Sequence, residues 1–341
     1  MIIGIDVESG ERPYQELVKG ALNALQYLPD ISIKIIGDSS KILKNFPHLA
    51  SLNNVSLVNA AEVVLMGERP TNVLKKKKNS TVAVGINLLK EKKIDVFFSP
   101  GNTGATVVSS ILNLGMIKGI KRPAMATFFP RIGGGETLII DIGANIDANE
   151  KDLYNNALMG EAYYQIVHEK NNPTVGLLNM GIEHEKGSIT IKKAFELLRK
   201  SLPSFIGNIE GYNVFNGSVD IAVCNGFIGN SILKIAEASK KYFLYALKNI
   251  FFNTKNASLF KKTLLYINSL FGVYTEKKRV INENILPRYY GAAPLLGVNG
   301  IVMIGHGSCS TDELTNAIEL ADKLYKLDFL NKIRNHIQKF Y

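Results

Sequence analysis

Only two cysteines, Cys224 and Cys309, occur in the 341 residues. They are far apart and match no metal-ligand spacing, which speaks against a disulfide framework or a structural zinc site. Reduced thiols in a cytosol are the expectation. No uncharged apolar run reaches the length of a membrane span, and the chain opens directly on the strand-like MIIGID, without the basic and apolar leader of a secretory signal. Neither a P-loop nor G-x-G-x-x-G is present, and the glycine-rich words GNTG (101 to 104) and IGGGE (132 to 136) fit neither pattern, so nucleotide binding lacks support. Internal repeats and low-complexity linkers are absent too. Acids are short of bases: Lys and Arg number 40 against 30 Asp and Glu, giving a net charge of +10 and a pI near 9.3. Such a surface suits an acidic partner, whether nucleic acid, anionic lipid or acidic protein. Nucleic acid is the poorest of these, because basic residues do not interleave with aromatics and no known binding module is visible.

What is present begins with a hydrophobic content of 46%, enough for a large core. Strand-like and helical patterns alternate: strand 2 to 6, a helix with Leu17, Ala21, Ala24, Leu25 and Leu28 on one face, helix 80 to 91, strand 94 to 98, strands near 124 to 128 and 137 to 141, helix 150 to 168, strand 174 to 178, helix 188 to 200 and strand 219 to 223. A long helix opens near Phe227, and the last helix carries a capping box of Ser310 and Glu313. The pattern predicts an α/β fold in three layers, α/β/α, with a mainly parallel sheet and one domain over 1 to 341.

One stretch departs from the alternation. From about 232 to 285 the chain reads as a helical hairpin inserted in that domain, rich in Phe and Leu, with no Asp or Glu between Glu237 and Glu276. Phe251, Phe252, Lys255 and Phe260 would lie at its tip, where basic and apolar residues suit an anionic membrane surface. The plainer reading is an apolar stripe buried against a second subunit.

Four apolar runs each end in a Gly/Asn loop: VFFSPGNTG, LIIDIGANID, VGLLNMG and IAVCNGFIGN. In a parallel sheet such loops converge on one crevice. Asn102, Thr103 and Gly104 stand where a helix N-terminus can hold an anion; a tight turn with a cap explains them equally. Lys186, in NMGIEHEKG, can stabilise an oxyanion or hold phosphate, or pair with Glu183 and Glu185. His306 can donate to an anion or serve the fold. Asp6, Asp141 and Asp147 sit at or just after strand ends, and Cys224 reads as a buried, inert thiol.

The words SPGNTGA, DIGANID, ALMGEAY, LLNMGIEHEKG, FIGNIEG, VCNGFIGN, YGAAPLLGVNG and HGS, in this order, span nearly the whole chain. Together they resemble the PlsX family of phosphate acyltransferases. The resemblance implies an isopropylmalate-dehydrogenase-like fold, a homodimer and no cofactor or metal. It also implies a reaction in which inorganic phosphate attacks the thioester of a fatty acyl carrier protein. The acyl phosphate then passes to a membrane glycerol-3-phosphate acyltransferase, so phospholipid synthesis and a cytoplasmic protein peripheral to the membrane are expected; a weakly catalytic membrane scaffold is the alternative. Lys186 and Asn230 match the family's active-site lysine and asparagine, with Asn102, Thr103, Gly104, Asp141, Asn145, Asn179 and His306 as substrate-binding candidates around them. Departures are also visible. DVESGE stands where the family reads D-A-M-G-G-D, Ile182 replaces a glutamate, Asn225 an aspartate, Ile228 a threonine and Ile304, or Gly305 in a register shifted by one, a lysine.

Overall fold

The computed structural model describes residues 1–252 and 291–341. Eleven strands form one sheet: β1 Ile2–Asp6, β2 Ser32–Gly37, β3 Val55–Asn59, β4 Val96–Ser99, β5 Ala124–Pro130, β6 Glu136–Ile140, β7 Val175–Leu178, β8 Phe205–Ile209, β9 Ile221–Val223, β10 Ala292–Leu296 and β11 Ile301–Gly305. Between and after them run α1 Tyr14–Tyr27, α2 Ser39–Asn45, α3 Asn72–Lys75, α4 Thr81–Lys90, α5 Thr103–Leu114, α6 Glu150–His168, α7 Ile189–Ser201, α8 Asn213–Asn216, α9 Gly226–Phe252, α10 Thr311–Lys326 and α11 Phe329–Gln338.

The spatial order is β3-β2-β1-β4-β11-β10-β5-β6-β9-β7-β8. The first five strands are mutually parallel, and so are the last four. Between these wings, β10 is antiparallel to both β11 and β5, and β5 is antiparallel to β6. Three successive reversals leave the two parallel wings running in opposite directions. That single topological fact decides which strand-end loops meet.

Strand side chains alternate between two cores, as the two-residue period of a pleated sheet requires. Ile301 and Met303 of β11 face one core, with α1, α6, α10 and α11; Val302 and Ile304 face the other, with α4, α5 and the first turns of α9. Both faces are covered, which gives the expected three-layer α/β arrangement. Helix starts follow their caps: the Ser310 and Glu313 box opens α10, and an Asn149 and Asp152 box opens α6. Beyond α10, the last helix that the sequence pattern predicts, one more follows. At Asp328 the backbone turns left-handed and α11 begins, burying Phe329, Ile333 and Ile337 at fourfold spacing. Of the stretch expected to form the hairpin, the structure describes only the part within the 27-residue α9, which exposes Ile235, Tyr242 and Tyr245; its remainder lies outside the described residues. The side chains of Phe251 and Phe252, together with Lys255 and Phe260, lie outside the described residues. Among the described residues no helix is long and apolar enough to cross a membrane.

Candidate active site

In the second wing the loop after β6 is built on Asp141. Its carboxylate is fully buried and accepts the N–H groups of Met125 at 3.0 Å, Gly143 at 3.0 Å, Ala144 at 2.9 Å and Asn145 at 2.7 Å. Burial pushes its pKa above the ordinary carboxylate value, against the pull of those backbone donors. Both oxygens are thus occupied by the chain itself, so Asp141 shapes the loop. Asn145 is also committed, with its amide on the Pro123 carbonyl and on Asp141 at 3.4 Å.

Against this loop packs the start of α9. Asn225 caps it, its side-chain oxygen accepting the Ile228 N–H at 2.9 Å. An amide caps a helix as an aspartate does, so the departure at Asn225 keeps the geometry while giving up a negative charge near the helix N-terminus. Gly229 allows the approach: a Cβ there would overlap the Asp141 carbonyl oxygen. One residue on, Asn230 is exposed beside Gly143. Cys224 is buried with its thiol directed to the Asp141 carbonyl at 3.4 Å, and burial pushes its pKa up, so it is not a ready nucleophile.

The loop after β7 is closed by Asn179, which accepts the Met180 N–H at 2.9 Å and donates to the Lys186 carbonyl at 3.1 Å. Gly187 sits at φ 93°, where a side chain would also strike the Asn179 amide. Ser188 then caps α7 through the Ile191 N–H. Lys186 is exposed at the end of this clasp. Glu185 faces His184 at 3.3 Å and Lys192 at 3.7 Å, and Lys186 has no ion pair among the described residues. A cavity of about 630 Å³ opens next to it, walled by Asp147, Asn179, Ser188, Asn225, Leu178 and Ile228. The first turns of α6, α7 and α9 border this space, capped by Asn149, Ser188 and Asn225, and each brings the partial positive charge of a helix N-terminus.

The first wing gathers a different set. Asp6, buried at the end of β1, accepts from the N–H groups of Glu8 and Ser9 at 3.2 Å, from Ser99 Oγ at 2.8 Å and from Ser9 Oγ. Asn102 caps α5 through the Ala105 N–H at 2.9 Å and spends its amide on three carbonyls, those of Leu65, Met66 and Glu68. Thr103 and Gly104 occupy the first turn of α5. The structure therefore groups the loops at 141, 179 and 225 around one cavity and sets the loop at 101 beside those after β1 and β11. The cause is the opposed direction of the two wings.

One residue that the sequence reading passed over joins the two sets. Lys234, one turn beyond Asn230 on α9, lies 2.8 Å from His306 Nε2 and 3.0 Å from Glu237. On the other side of the ring Nδ1 accepts the Ser308 N–H at 3.1 Å and lies 2.7 Å from Ser308 Oγ, so the imidazole is held from both edges. The i, i+4 spacing from Asn230 was the available signal.

Comparison with known proteins places this arrangement in context. A family model described as fatty acid synthesis protein matches residues 1–332. A phosphate acyltransferase from Halothermothrix orenii is 40% identical over 346 residues, covering 99% of each chain. One from Caldanaerobacter subterraneus subsp. tengcongensis is 38% identical over 340 residues, covering 99% of this chain and 98% of the relative. Among solved structures, a branched-chain phosphotransacylase from Enterococcus faecalis V583 superposes with a TM-score of 0.58 at 12% identity, over 95% of this chain and 98% of that one. A phosphotransacetylase from Streptococcus pyogenes gives 0.57 at 15%, over 99% and 94%. These two share the fold.

Proposed function

The chain belongs to the phosphate acyltransferase family, and on that premise we propose that it moves a fatty acyl group from the thioester of an acyl carrier protein to inorganic phosphate. The observation that carries the reading is Lys186, a cation with no ion pair among the described residues, its carbonyl held by Asn179 next to a cavity bordered by the first turns of three helices. Such a site favours a dianion without a metal. A phosphate oxygen attacks the thioester carbonyl carbon, the resulting oxyanion collapses, the C–S bond breaks and the carrier thiolate leaves to take up a proton. Phosphate is already a nucleophile at neutral pH, so no strong base is required, in keeping with the inert Cys224. Lys186 neutralises charge on phosphate and oxyanion, and the Asn230 amide donates to the carbonyl oxygen from the exposed face of α9.

The acyl phosphate would feed a membrane glycerol-3-phosphate acyltransferase. Exposed Ile235, Tyr242 and Tyr245 on α9 support an apolar contact there, with a second subunit or a peripheral membrane surface. The deciding assay is acyl phosphate formation from long-chain acyl carrier protein and phosphate. Lys186→Ala should lower turnover at least ~100-fold with the melting temperature unchanged. Full activity in that variant would sink the assignment.

A further inference from the structure

Beside the first wing's loops lies positive charge that the proposed reaction does not use. The segment between β3 and α4 carries Arg69, Lys75, Lys76, Lys77 and Lys78. Only Lys77 is committed, to the Val63 carbonyl at 2.6 Å and to the Glu68 carboxylate. Arg69, Lys75, Lys76 and Lys78 are exposed and have no ion pair among the described residues. The carboxylates nearby in sequence are already engaged. Glu62 accepts the Asn79 N–H at 3.1 Å, and hydrogen bonds from Lys77 and Asn72 hold Glu68 down to about 2. Leu65 and Met66, 61% and 45% exposed, extend the patch with apolar surface.

The segment is fastened to the strand-end loops. Asn102 holds three of its carbonyls, Pro70 lies over Gly104, and Met66 lies over Gly307. Gly307 follows His306, whose ring meets Lys234 one turn beyond Asn230. Contacts therefore run without a break from the free lysines to the exposed face of α9.

We propose that Arg69, Lys75, Lys76 and Lys78, with Leu65 and Met66, form the docking surface for the acidic protein domain that carries the acyl thioester. The inference rests on the reaction proposed above, which requires such a carrier. A thioester on a long flexible arm lets the carrier body sit to one side of the cavity. What the body needs is fixed positive charge with no internal partner to displace, and a small apolar contact at its centre. Attraction across such a patch speeds encounter and fixes orientation more than it adds affinity, and it weakens with salt.

The test is the triple variant Lys75→Glu, Lys76→Glu, Lys78→Glu, with Lys77 retained because it holds Glu68. Calorimetric titration with unacylated acyl carrier protein should show binding weakened by about tenfold or more, with the salt dependence of the wild-type chain largely lost. In steady state the KM for acylated carrier should rise in parallel while kcat and the KM for phosphate stay unchanged. Unaltered carrier affinity in a variant that melts as wild type overturns the proposal. So does loss of sedimentation with phosphatidylglycerol vesicles while carrier affinity holds, which would assign the patch to a lipid surface. Should the wild-type chain form no acyl phosphate, the reaction fails on that count alone, and the carrier titration still decides the surface.

Discussion

Asp6 closes the loop after β1 and Asp141 closes the loop after β6; both are fully buried at the carboxyl end of a parallel strand, yet their partners differ. Asp6 meets two backbone N–H groups and the hydroxyls of Ser9 and Ser99, whereas Asp141 meets four backbone N–H groups. A hydroxyl can turn to donate or accept; an N–H only donates. The first wing's loop is consequently adjustable around its carboxylate. The second wing's loop, which lines the cavity beside Lys186, is fixed to one state of it. Rigidity has been placed where phosphate and thioester would have to be aligned.

Glycine substitutions probe that contrast most severely. In the second wing a Cβ at Gly229 would overlap a backbone oxygen, that of Asp141, so α9 itself would have to move; in the first, a Cβ at Gly10 comes no closer than 3.2 Å to the Gly307 carbonyl oxygen and 3.3 Å to Pro100. Gly229→Ala should cost about 3 kcal/mol or more in urea unfolding and remove activity, and Gly10→Ala about 1. Similar losses at both positions would erase the distinction.

Exchange of the carboxylates comes next in size. In Asp141→Asn one amide edge must face the Asn145 N–H, donor against donor, so about 2 kcal/mol should be lost. Asp6→Asn can aim its NH₂ at Ser9 and Ser99 and should lose less than about 1 kcal/mol. Burial also raises the Asp6 carboxyl above its ordinary value. Stability from a raised carboxyl is present below the ordinary range and lost as pH rises through the folded value. The Asn variant lacks that loss, so its melting temperature relative to wild type should improve as pH rises from about 4 toward neutrality. A constant difference across that range would show that the hydroxyls compensate for burial fully.

Much of this was legible in the sequence because it was written locally. The capping box of Ser310 and Glu313, the helix from 150 to 168 and the strand ends at Asp6 and Asp141 follow from spacing alone. The alignment of Lys186 and Asn230 came from motif order. What could not be read was the direction of the wings. The two antiparallel strands that reverse the sheet, β5 and β10, carry the same apolar pattern as parallel ones, and nothing local says which neighbour they pair with. For that reason the loop at 101 was expected beside those at 141, 179 and 225. The terminal helix α11 was missed for a related cause, since a single left-handed residue, Asp328, separates it from α10.

Lys234 offers the smallest test and the one that bears on how the wings are joined. Its contacts with His306 and Glu237 bridge α9 and the loop after β11, but Lys234 is half exposed, and pairs of that kind add at most about 1 kcal/mol. The sheet, continuous through β10 and β5, already joins the wings. Lys234→Met should therefore change unfolding free energy by less than about 1 kcal/mol. Its effect should appear in kcat/KM instead, because the ammonium holds one edge of the His306 ring while Ser308 holds the other, and a ring freed on one edge is less well placed. Lys234→Arg, which keeps a donor, should restore most of the rate. A stability loss rivalling that of Gly229→Ala would mean that the polar bridge, rather than the sheet, holds the two wings in register.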